Sequence, residues 1–201
     1  TVPPPNSLDE STVNKIADSV VTTLSNISAD GLVIYDIQDE PSRSGEKRPF
    51  PFFHTFQPRD YAKLLRSKGG FNNIEPIVYR SLKAGETRSE FLKWVEETTD
   101  YGGEYNIKNF VIVGGDNRSN KFLLKVDEAS DLMKQIQNSI LLGGITIPER
   151  HRDRIDEHIR ITRKTLHGIN FFTSQVIYNC DLAIWFLQDY VEYCKMNSLK
   201  S

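Results

Sequence analysis

Long apolar runs are missing from this 201-residue chain, and no stretch approaches the roughly 20 residues a membrane-spanning helix needs. An excess of one charge is missing too. With 25 Lys and Arg against 27 Asp and Glu, the sequence argues against a broad basic surface for nucleic acid. Cysteine is scarce: Cys180 and Cys194 are the only two, and both fall on one expected helix. Fourteen residues at about 1.5 Å each would hold them roughly 21 Å apart, far beyond disulfide reach. Two reduced thiols suit a reducing compartment, so a cytoplasmic protein is expected. The opening Thr1-Val2-Pro3-Pro4-Pro5 carries neither the basic nor the apolar region of a secretory leader. An initial Met is lacking as well, so the chain reads as open on its N-terminal side. Finally, no GxGxxG lies between a strand and a helix, which disfavours a Rossmann dinucleotide fold.

Alternation is what the sequence has. After the proline run, Asn6-Ser7 and the acidic pair Asp9 and Glu10 mark a helix start, and Val13, Ile16, Ala17, Val20 and Leu24 recur at helical spacing. Apolar strand-type runs follow at 31–35, 75–79, 109–113, 140–147 and 169–178. Helical patterns lie between and after them at 59–67, 88–98, 126–137, 153–166 and 181–195. The strands are nearly continuous Val, Ile and Phe, as expected of a parallel sheet covered on both faces. Counting the extended Pro-Pro run as the first strand gives six strand–helix units in a single domain over residues 1–201. Polar residues follow the strands: Asp36, Arg80, Asp116, Glu149 and Gln175. The carboxyl-terminal ends of parallel strands are where such folds build their sites.

The most specific signals come late. Val113-Gly114-Gly115-Asp116 ends one strand, Ile147-Pro148-Glu149-Arg150-His151 ends the next, and Phe172-Thr173-Ser174-Gln175-Val176 forms the last. This set, in this order, resembles the methylenetetrahydrofolate reductase family of flavin-dependent barrels. The resemblance implies a parallel (β/α)8 TIM-type barrel with about six of its eight units present, incomplete at the C-terminal end. It also implies an oxidoreductase of one-carbon metabolism and methionine biosynthesis. NAD(P)H would reduce FAD, which would pass the hydride to methylenetetrahydrofolate to give methyltetrahydrofolate. Asp116 would be the catalytic carboxylate near pterin and flavin, with Gly115 giving close backbone approach to the cofactor. Gln175 would hydrogen-bond the pterin, Pro148 and Glu149 would shape the turn below the flavin edge, and Glu149 would count among the substrate-binding residues. His151, Lys164 and the pair Asp156 and Glu157 would surround the FAD ribose and diphosphate.

Those roles suit the chemistry. A pterin edge alternates donors and acceptors, which a carboxylate or primary amide can match, and a diphosphate needs a cation. Each residue also has a plainer reading. Asp116 suits a strand-end turn, Glu149 and His151 suit a helix cap, and Lys164 beside Arg160 and Arg163 suits a solvated face. Gln175, placed inside an apolar strand, would need a ligand or a core network for its amide. The acidic set Asp36, Asp39 and Glu40 lies among Arg43, Lys47 and Arg48, which favours ion pairs over a metal. His54 has no ligand-spaced partner, so no metal site is expected.

The sequence departs from the family pattern at three places. The glutamate that precedes the prolines falls at Thr1 or before the chain begins, Gly114 stands where an arginine is common, and Ile77 where a histidine is frequent. A second reading follows from them: a non-catalytic folate-binding module or partner subunit without flavin chemistry. With two strands missing, open sheet edges would recruit a partner subunit or a second copy.

Overall fold

The computed structural model of the chain describes residues 1–37, 52–72, 74–114, 123–136 and 139–199. The elements run α1 (Glu10–Ser25), β1 (Gly31–Ile34), α2 (Pro58–Ser67), β2 (Glu75–Ser81), α3 (Arg88–Thr99) and β3 (Asn109–Val113). They continue with α4 (Val126–Ile136), β4 (Leu141–Thr146), α5 (Arg150–Arg154), α6 (Glu157–Leu166), β5 (Phe171–Ser174) and α7 (Cys180–Met196). Local chemistry sets several of the boundaries. Asp9 caps α1 by accepting from Thr12 N at 3.0 Å. Thr87 and Glu90 close a reciprocal capping box on α3, and Asn179 caps α7 through Leu182 N at 3.0 Å. Pro58 opens α2, where its missing N–H has no bond to forgo.

All four strand pairings are parallel, in the order β1-β2-β3-β4-β5. The sheet is a curled half-barrel, not the six-unit portion of a closed (β/α)8 barrel that the sequence suggested. The proline run is where the expectation fails. Thr1 touches the β1 edge, donating to Val33 O at 2.8 Å and accepting from Tyr35 N at 3.0 Å. Pro3, Pro4 and Pro5 have no N–H to continue that ladder. The chain turns away instead, and Pro5 makes an isolated antiparallel bridge with Thr55. Among the described residues nothing pairs with the outer side of β5.

The curl follows from one contact. Tyr79 on β2 and Thr173 on β5 are three strands apart, roughly 14 Å in a flat sheet. Their hydroxyl oxygens nevertheless lie 2.7 Å apart, so the sheet wraps around them. Tyr79, Val111, Gly143 and Phe171 form one register row across this concave face. Gly143 makes the row possible, because a Cβ there would lie 2.4 Å from the Phe171 ring.

The opposite face packs on the helices. Ile34, Val78, Phe110, Ile112 and Leu142 from the strands meet Ala17, Tyr61, Leu65, Phe91, Val95 and Met133 from α1 to α4, all essentially buried. Side-chain alternation therefore sends Tyr79 and its neighbour Arg80 to opposite faces. Arg80 is buried among the helices, paired with Glu86 and stacked 4.6 Å over the Trp94 ring. It is no part of the strand-end surface. Trp94 packs against the core, whereas Trp185 is 37% exposed. Both cysteines are free thiols on α7. No helix among the described residues is long and apolar enough to cross a membrane.

Candidate binding site

The carboxyl-terminal ends of the strands converge on an open cleft of about 740 Å³, within the range that takes small organic ligands. Tyr35 and Asp36 follow β1, Tyr79 comes from β2, Ile145 and Ile147 from β4 and just after it, and Gln175 follows β5. The rings of Tyr35 and Tyr79 sit 4.8 Å apart at a 55° tilt, giving the floor an aromatic character. Burial raises the Tyr79 phenol above its ordinary range, with the Thr173 hydrogen bond opposing that shift. Its hydroxyl therefore stays a hydrogen-bonding group.

Polar groups rim this floor. Asp36 accepts from Ser81 N at 3.1 Å, which fixes its carboxylate at the mouth. Glu149 accepts from Tyr178 N at 3.1 Å, tying the end of β4 to the segment after β5. Gln175 N donates to Thr146 O at 3.1 Å, extending the β4–β5 ladder one step past the strand. That step leaves its side chain exposed at the cleft, not buried inside a longer strand as its apolar neighbours suggested. Arg150 and Arg152, on α5, add guanidinium groups to one wall, with Asp153 bound to Arg152 at 3.0 Å.

The residues singled out in the sequence divide into three groups. Asp36, Glu149 and Gln175 meet at the cleft. Gly115 and Asp116 lie outside the described residues, as do Asp39, Glu40, Arg43, Lys47 and Arg48. The remaining four are placed behind β4, away from the cleft lining. Glu157 is 1% exposed, and its Oε1 accepts from Ile147 N at 2.9 Å and Thr146 Oγ1 at 3.2 Å, anchoring the end of β4 to α6. Asp156 pairs with Arg160 one turn on, at 3.1 Å. Lys164 donates to Ile145 O, and burial lowers the pKa of its ammonium. It lines a separate hollow of about 470 Å³ with Gly114, Lys125 and Arg163. His151 is fully buried, with Nε2 2.8 Å from Asp189 Oδ2 on α7.

The residues that sequence reasoning missed are Tyr35, Tyr79, Arg150, Arg152 and Asp153. The tyrosines carried a usable signal. Each sits at or just past a strand end with a period-2 placement that points it away from the helices.

No family model matches this sequence, and no curated protein matches it. A solved structure does match. It is described as an uncharacterized protein from Clostridium thermocellum that binds two copies of 5-methyl-5,6,7,8-tetrahydrofolic acid. The two share 31% sequence identity and superpose with a TM-score of 0.79, over 99% of this chain and 60% of that one. The fold is shared. This chain spans 60% of that protein's length, so what the whole of that protein does is not carried over by fold alone.

Proposed function

We propose that this chain is a folate-binding module that takes a reduced folate such as 5-methyltetrahydrofolate in the strand-end cleft. The observation that carries this reading is the cleft's composition in a fold shared with a 5-methyltetrahydrofolate-binding protein. A reduced folate has a polar pterin edge, an aromatic middle and an anionic glutamate tail. The Gln175 amide offers both a donor and an acceptor to a pterin edge, and the Glu149 and Asp36 carboxylates accept from its ring N–H and amino groups. Tyr35 and Tyr79 supply ring faces for the pterin or the benzoyl group. Arg150 and Arg152 suit the tail carboxylates as charge-assisted partners.

The binding-module reading is favoured over the reductase reading by departures from the reductase pattern. Lys164, which that pattern would set at a flavin diphosphate, is instead occupied by the Ile145 backbone carbonyl. Gly114 and Ile77 stand where the reductase pattern has arginine and histidine. Calorimetric titration of the full chain with 5-methyltetrahydrofolate, and separately with FAD, tests the reading. Saturable folate binding with a Kd of about 1 μM or tighter, and no heat with FAD, is expected. FAD binding with NAD(P)H-driven bleaching of the flavin would favour the reductase instead. Absence of folate binding would remove both readings.

A further inference from the structure

We infer that His151, His158 and Asp189 form a binding site for a zinc-class divalent metal ion between α5, α6 and α7. The site is separate from the cleft and does not depend on the folate reading. The segment Pro148-Glu149-Arg150-His151 divides between the two. Glu149 and Arg150 face the cleft, while the next side chain turns into the helix layer.

One ligand atom from each of the three residues lies within 4.8 Å of the other two, and no other such grouping of three occurs among the described residues. The closest pair, His151 Nε2 and Asp189 Oδ2, is 2.8 Å apart. Ligands at about 2.0–2.2 Å from a tetrahedral zinc ion stand roughly 3.3 Å from each other. The grouping therefore brackets that spacing, and a small inward movement of His158 completes it. A hydrogen-bonded His–Asp pair alone leaves one fact unexplained. The Nδ1 atom of His158 is buried and has no hydrogen-bond partner. Two imidazoles meeting edge to face at 5.3 Å beside a carboxylate, one with a buried ring nitrogen unused, form a donor set with an unfilled place.

The surroundings suit a metal. Trp185 lies 4.8 Å and Phe186 5.7 Å from the His151 ring, and Tyr193 lies 5.3 Å from His158. These walls fix the imidazole orientations and exclude most water. Asp189, with its side chain 29% exposed, leaves one open side for entry and for a water as fourth ligand. Two nitrogens and one carboxylate are borderline donors that suit zinc better than calcium or magnesium. The consequence is mechanical: an ion there ties the five-residue α5 to α6 and α7 and holds the arginine wall of the cleft in place.

The test is calorimetric titration of the chelator-treated full chain with Zn²⁺, repeated with Co²⁺ to read the visible absorption of a tetrahedral complex. One equivalent should bind and raise the Tm. His158→Gln and Asp189→Asn should each weaken binding by about tenfold or more. Their metal-free Tm should stay close to that of the parent, which separates lost ligation from lost folding. No saturable binding, or binding of unchanged affinity in both variants, overturns the assignment.

Discussion

The Tyr79 hydroxyl lies 2.7 Å from Thr173 Oγ1, and this contact joins β2 to β5 across the concave face of the sheet. It links the register of the sheet to the floor of the cleft, because Tyr79 serves both. In a double-mutant cycle with Tyr79→Phe and Thr173→Val, the coupling energy should be about 0.5–1.5 kcal/mol, the usual net value of one such bond. Denaturant unfolding reads it. Strict additivity of the two substitutions would mean that the hydroxyls do not hold the curl.

Gly143 is the second determinant of that face. In Gly143→Ala the new methyl meets the Phe171 ring, which must leave its register row. A loss of about 1–3 kcal/mol is expected from overpacking. Gly143→Ala combined with Phe171→Leu should recover much of it, and failure of that rescue would place the strain elsewhere.

Glu157 anchors β4 from behind. Glu157→Ala leaves Ile147 N–H buried without its acceptor, and a loss of about 1–3 kcal/mol follows. Urea unfolding measures it. A change under about 0.5 kcal/mol, the scale of an ordinary surface substitution, would contradict the anchoring role.

His158 makes stability depend on pH in a stated direction. Burial, and then the neighbouring His151, lower its pKa below the ordinary 6.5, with Asp189 and Asp156 opposing. Between the lowered value and 6.5 the unfolded chain binds more protons than the folded one, so stability rises with pH. The contribution is complete above 6.5 and is lost as pH falls through the folded value. Thermal unfolding of the metal-free chain from pH 8 to 5 should show a steeper decline for the parent than for His158→Gln. Equal slopes would mean that this imidazole is not held neutral.

Much of the fold is legible in the sequence, because short apolar runs alternating with capped amphipathic segments leave few alternatives. β3 occupies the expected residues, and β1 differs from its expected run by one. The errors fall where backbone geometry overrides pattern. The proline run looks extended but cannot ladder. The helix expected over 153–166 is two helices, since Ile155 adopts φ 51°, a left-handed conformation that a β-branched residue gives no sign of in the sequence. Gln175 lies past β5 because that strand stops at Ser174. Of the site, Asp36, Glu149 and Gln175 were visible as polar residues after strands. The aromatic floor was hidden inside apolar runs, and the His151, His158 and Asp189 grouping comes from three helices that no spacing rule connects.

The central claim is that a reduced folate lies against Gln175 and the two tyrosines. The direct measurement is an NMR titration of the isotope-labelled chain with 5-methyltetrahydrofolate, following the Gln175 side-chain amide and the ring signals of Tyr35 and Tyr79. Saturable shifts of all three, with Gln175→Ala weakening affinity by about tenfold, or 1.4 kcal/mol, are the predicted result. Binding that leaves these signals unmoved, or no binding at millimolar ligand, would contradict it.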